Sequence, residues 1–153
     1  MHRLADIRQR TDYDCGLAAV RVLLRALRRR PSPDAMRHLG TTAIDGTDPR
    51  AIEVCLRAHS LMVCSGSLHW DMLGPLSKKT PVLALVTSGG IGHWVVVAGV
   101  ENGFVYYQCP SNGHERLGRK AWIGRWRDVD RLGAIYHQWI IAAWKLPQQK
   151  SNP

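Results

Sequence analysis

The apolar pattern of this chain changes period once, and that change limits the architectures open to it. Leu17, Val20, Leu23, Leu24 and Leu27 recur at helical spacing, with Arg21, Arg25 and Arg28 on other faces. An amphipathic helix therefore begins near Cys15 and carries the apolar segment 17–27. Pro31 and Pro33 stop it. A short helix fits 34–39, and beyond the Gly/Thr-rich stretch 40–47 the pair Asp48-Pro49 starts another through 50–59, with proline in its first turn. Residues 61–64 read as a short strand and 70–76 as a brief helical turn. From Pro81 the runs 82–86, 94–100 and 104–107 are apolar and rich in β-branched or aromatic residues, the signature of buried strands. Asn102-Gly103 marks a two-residue hairpin, 110–113 a loop, 119–126 a helix and 138–144 a last strand. Helices first and an antiparallel sheet afterwards is the α+β pattern.

With 153 residues and 45% hydrophobic content the chain can bury one core. It reads as a single domain over 1–146 followed by a polar, frayed tail, 147–153. No apolar run approaches the roughly 20 residues that span a bilayer. The start, Met1-His2-Arg3-Leu4-Ala5-Asp6, has no apolar signal region, so a cytoplasmic location is expected. Cys15, Cys55, Cys64 and Cys109 are too few and too scattered for a disulfide framework and read as reduced thiols. The net charge of +9 favours acidic partners by long-range attraction.

Cys15-Gly16 stands at the mouth of the first helix, six residues after Gln9, and Gly92-His93-Trp94 follows far downstream. Taken alone, a cysteine on an apolar helix is more often a core residue than a nucleophile. A helix N-terminus, however, favours the thiolate, and a histidine beside the thiol can hold it as an ion pair. Gln9 can donate to an oxyanion together with the Cys15 backbone N–H. Gly16 lets a substrate backbone approach the thiol. Asp12 and Asp14 read as helix caps. His93 opens a strand after Gly89-Gly90-Ile91-Gly92, glycines that serve a turn or line a groove; Trp94 reads as core or cleft wall.

Together, Gln9, Cys15-Gly16 within Thr11-Asp12-Tyr13-Asp14-Cys15-Gly16, and Gly92-His93-Trp94-Val95-Val96-Val97 resemble the papain-like peptidases that process bacteriocin precursors after a double-glycine leader. The resemblance spans roughly residues 4–146. It implies a papain-like α+β fold with N-terminal helices packed on a C-terminal antiparallel sheet, and a peptide or protein substrate. It makes Cys15 the nucleophile, His93 the general base and acid, and Gln9 the oxyanion donor, with Gly16, Gly92 and Trp94 near substrate and no cofactor or metal. Where the family has Asp-Pro to orient the histidine, this chain has Cys109-Pro110. A neutral thiol is a weak partner for an imidazolium. Three readings stay open: Gln108 or Asn112 takes the orienting role; Cys15 and His93 work slowly alone; or the domain binds a peptide or leader without cleaving it. An amidase or acyltransferase would keep the same thiol chemistry.

Two other patterns weigh less. Cys64 with His69 and Cys109 with His114 have the wrong spacing for a structural zinc site. Arg116, Arg119, Lys120, Arg125, Arg127 and Arg131, interleaved with Trp122 and Trp126, offer a basic aromatic surface for nucleic acid. The helical i, i+4 spacing of the two tryptophans favours a core role instead.

Overall fold

The structure, a computed structural model, describes residues 1–40, 47–130 and 132–147. Most of the Gly/Thr-rich stretch, Arg131 and the tail from residue 148 lie outside the described residues. Helix α1 spans Cys15–Ala26, α2 Pro33–Met36, a 3-10 turn Arg37–Leu39, and α3 Pro49–Ala58. Strand β1 (Leu61–Ser67) is followed by α4 (Trp70–Lys79), then β2 (Val82–Ser88), β3 (Ile91–Glu101), β4 (Phe104–Cys109) and β5 (Gly113–Gly118). Helix α5 (Arg119–Arg125), β6 (Arg127–Val129), β7 (Ile135–His137) and β8 (Trp139–Lys145) complete the order.

Six strands form one antiparallel sheet in the order β1-β8-β2-β3-β4-β5, and β6-β7 is a separate ribbon. Hairpins join β2 through β5 in sequence, whereas β8 returns from the end of the chain to lie between β1 and β2. Gly89 and Gly90 both have positive φ, as do Asn102 and Gly103. These pairs form the tight turns on either side of β3, a backbone shape that suits Gly and Asn.

The sheet is buried on both faces. Leu83, Leu85, Trp94, Val96 and Ile141 pack with Leu23, Leu24, Ile52 and Leu56 of α1 and α3. On the other face Val82, Ala84, Val86, Val95 and Val97 meet Leu73 of α4 and Trp122 of α5. Apolar runs without alternation require such two-sided cover. The helices thus lie on both faces of the sheet, because α4 and α5 cover the face opposite α1. Trp122 and Trp126 are almost fully buried, with ring centroids 5.7 Å apart, and Tyr107 lies 5.4 Å from Trp122. Both tryptophans are core residues, so neither offers a stacking face to nucleic acid.

Three differences from the sequence pattern have local causes. The turn at 70–76 is a ten-residue helix, α4, which accommodates Pro75 in its interior. Strand β3 begins at Ile91, so His93 sits inside a strand, opposite Val86, instead of opening one. Strand β5 lies in a polar stretch, Gly-His-Glu-Arg-Leu-Gly; it is an edge strand, where charged residues are tolerated. Replacing Trp126 by Ala is expected to cost about 3–5 kcal/mol, read as a shift in the chemical-denaturation midpoint; a loss under about 1 kcal/mol would mean the ring is not a core element.

Candidate active site

Cys15 is the first residue of α1 and Asp14 occupies the N-cap position. The Asp14 carboxylate does not cap the helix. It turns back to accept the backbone N–H of Arg10 (3.1 Å) and Thr11 (3.0 Å), closing the loop that leads into Cys15. The capping expected of Asp14 is therefore absent: its side chain makes no hydrogen bond to the first turn of α1. The N–H groups of that turn form the positive end of the helix beside the thiol.

The segment before that loop is fixed along the sheet. His2 N–H donates to the Ala98 carbonyl (3.1 Å), Gln9 N–H donates to the Pro110 carbonyl (3.0 Å), and the Arg8 guanidinium donates to the Ser111 carbonyl (3.1 Å). Gln108, fully buried, donates through Nε2 to the Ile7 carbonyl (3.0 Å) and to Asp6 (3.4 Å). Gln108 thus anchors the N-terminal segment and does not orient His93. The cause is strand alternation: β4 pairs with β5 without interruption from Phe104 to Cys109, so Gln108 and Cys109 face opposite sides. Asn112 is exposed and makes no hydrogen bond to His93 among the described residues.

His93 is 8% exposed, and its Nε2 lies 3.2 Å from Cys109 Sγ and 3.3 Å from Ser111 Oγ. Cys109 therefore occupies the place from which a third residue would act on the ring. Ser111 Oγ also donates to Gln9 Oε1 (3.1 Å), while Gln9 Nε2 donates to the Thr11 carbonyl (2.8 Å). One of the two Nε2 hydrogens is used there. Gln9, Ser111, His93 and Cys109 thus form one connected group, and Cys15 heads the adjoining helix at 5% exposure. No hydrogen bond joins Cys15 to His93 among the described residues. Ser111 lies in a loop with no apolar pattern around it, and the sequence marks it only by its place two residues after Cys109.

The residues assigned to substrate contact have packing neighbours. A Cβ on Gly16 would meet Thr47 Cβ and Oγ1 at 2.5 Å, and the Thr47 carbonyl accepts the Trp94 Nε1–H (3.1 Å). A Cβ on Gly92 would run into the Asp128 carboxylate. Gly16 thus lies under Thr47 and Gly92 under Asp128. Trp94, 2% exposed, is a core residue, the first of the two roles its position allowed. Cys64 and Cys109 lie on β1 and β4 with three strands between them, about 19 Å at ordinary strand spacing. Their two Cys/His pairs cannot close on one ion.

The model of the Peptidase C39 family matches residues 4–129. The chain belongs to that family. C39 domains also supply the fold: the double-glycine-motif protease domain of an AMS/PCAT transporter, solved with its leader peptide, superposes at a TM-score of 0.72. That match has 15% identity and covers 95% of this chain and 94% of the other. The peptidase domain of Streptococcus ComA, a bifunctional ABC transporter, superposes at 0.73 with 18% identity, over 95% and 100%. The probable functional amyloid protease FapD of Pseudomonas fluorescens is 27% identical over 138 residues, 80% of this chain; the chain spans 57% of that relative's length. The double-glycine leader peptidase likeness read from Gln9, Cys15-Gly16 and Gly92-His93-Trp94 is thereby borne out at the level of family and papain-like fold.

Two outcomes follow for this C39 domain. Gly16→Ala is expected to destabilise it by about 1–3 kcal/mol through the clash with Thr47, and Thr47→Gly in the same chain is expected to restore most of the loss, read by thermal unfolding. Burial holds the Asp128 carboxyl above the ordinary carboxylate range, opposed by a hydrogen bond from the Val129 backbone and reinforced by the charge of Asp130. The folded state then binds the proton more tightly than the unfolded chain, so stability falls as pH rises from the ordinary carboxylate value through the raised one. Asp128→Asn is expected to be more stable than the parent at neutral pH, with the difference vanishing on acidification below that window. An advantage that grows on acidification would contradict the assignment.

Proposed function

We propose that residues 1–146 act as one papain-like cysteine peptidase domain that hydrolyses a peptide bond through a thioester on Cys15. The observation that carries this reading is the docking of the Gln9 loop, through Pro110 and Ser111, onto the strand end that holds His93. In this reading nucleophile, base and oxyanion donor come from three segments, and Ser111 ties the Gln9 loop to His93. Cys15 loses its proton to His93 and attacks the carbonyl carbon. The oxyanion takes hydrogen bonds from the Cys15 N–H and the remaining Gln9 amide hydrogen. As the C–N bond breaks, His93 returns the proton to the leaving amine. Water then attacks the thioester with His93 again as base, releasing the acid and restoring the thiol. The leader peptide bound by the AMS/PCAT relative supports a peptide substrate for this chain as well.

A second reading, a domain that holds a peptide without cleaving it, draws on Cys109. With a thiol against His93 Nε2 in place of a carboxylate, an imidazolium has less support during the reaction.

Thiol labelling with iodoacetamide at neutral pH separates the two. Burial pushes the Cys55 thiol up to about 11, which makes it inert, and Cys64 is an exposed free thiol. Cys15 is expected to label at least about tenfold faster than Cys64 and to lose that advantage in His93→Ala. Equal slow labelling of Cys15 and Cys64 would sink the peptidase reading. Cys109→Asp is expected to raise the rate of Cys15 labelling and of peptide cleavage, and product analysis with added amines separates hydrolysis from acyl transfer.

A further inference from the structure

We infer that Ser111 is the positioning residue of this site: its hydroxyl accepts the Nε2–H of His93 while donating to Gln9, and so sets the tautomer of the base. The inference deepens the cysteine peptidase reading and rests on it for its catalytic meaning.

The argument is one of hydrogen counting. A serine hydroxyl has one hydrogen and two lone pairs. Gln9 Nε2 is the donor to the Thr11 carbonyl, which turns Oε1 toward Ser111. An amide oxygen only accepts, so the Ser111 hydrogen goes to Gln9 Oε1 at 3.1 Å. What Ser111 offers His93 Nε2 at 3.3 Å is then a lone pair, so this contact is a hydrogen bond in the ring form that carries its proton on Nε2. A neutral imidazole protonated on Nε2 has its free lone pair on Nδ1, the arrangement a general base needs. Cys109 Sγ, 3.2 Å from the same nitrogen, accepts weakly from that form or donates weakly to the other, so the hydroxyl oxygen is the stronger partner and favours the proton on Nε2. The missing carboxylate is thus offset by a hydroxyl two residues further on.

The turn is built to hold that hydroxyl in place. Continuing the register that pairs Val96 with Gln108 and Val97 with Tyr107 brings His93 opposite the residues just past the end of β4. Arg8 holds the Ser111 carbonyl, and its guanidinium fills the space a side chain on Gly113 would take. Gln9 N–H holds Pro110. Because one hydroxyl touches both Gln9 and His93, oxyanion donor and base are set by a single residue.

The test uses the whole chain with Ser111→Ala, Ser111→Thr, Cys109→Ala and His93→Ala. Imidazole nitrogen NMR reads the His93 tautomer directly, and iodoacetamide rates against pH read the reactivity of Cys15. Wild type is expected to show the Nε2–H form. In Ser111→Ala that form is expected to lose its dominance and Cys15 labelling to fall about tenfold. Ser111→Thr, which keeps the hydroxyl, is expected to restore both, and Cys109→Ala to change them less than Ser111→Ala. An Nδ1–H ring in wild type, or an unchanged tautomer in Ser111→Ala, would overturn the assignment. If His93→Ala labels at Cys15 as fast as wild type, the peptidase reading fails instead, and the tautomer still decides the contact between Ser111 and the ring.

Discussion

Both faces of β2 and β3 must be kept from water, and the remainder of the structure answers that requirement. Residues 82–86 and 93–99 are buried without alternation, so neither face of these strands can be left to solvent. Helices α1 and α3 cover one face, α4 and α5 the other. The same burial brings α1 against β3, and Gly16 in its first turn packs under Thr47, whose carbonyl accepts from Trp94 next to His93. The hydrophobic effect supplies the driving force here, and the polar groups of the site are carried into position by it.

The site is assembled at chain crossings instead of within one element. The N-terminal segment runs along β3 and β4 through His2, Ile7 and Gln9, held by backbone groups, by the buried Gln108 amide and by the Arg8 guanidinium. Leaving the Gln108 Nε2 hydrogens unpartnered in the core would be costly, so their bond to the Ile7 carbonyl favours one placement of the segment. Gln9 is thereby fixed two residues later, against the β4–β5 turn. The loop closed by Asp14 then leads directly into Cys15. A thiol at Cys109 fits this environment because the position is almost fully buried next to an apolar cluster, where a carboxylate would lose its hydration.

Much of this was legible in the chain. The helical spacing from Leu17 to Leu27 and the apolar runs after Pro81 carry burial patterns strong enough to be read without a structure. Asn102-Gly103 and the glycines before His93 announce turns because few other residues adopt positive φ. Strand β5 was not legible, since an edge strand of His, Glu and Arg has no apolar run to reveal it. Helix α4 read as ending at Leu76, whereas it continues through the polar residues Ser77, Lys78 and Lys79, which carry no apolar spacing to reveal the last turn. Asp14 has the right identity and position for a cap, yet its carboxylate finds two backbone donors behind it.

The sequence by itself determined the class of the fold, the family, and the residue types available for thiol chemistry, because periodicity and short motifs are properties of neighbours along the chain. Tertiary structure alone decided which side chain meets His93. Gln108 and Cys109 are adjacent in sequence but face opposite sides of β4, and Ser111 reaches the ring only through the turn beyond it. Register and strand alternation, set by pairing between distant segments, make that choice, and no local pattern encodes it.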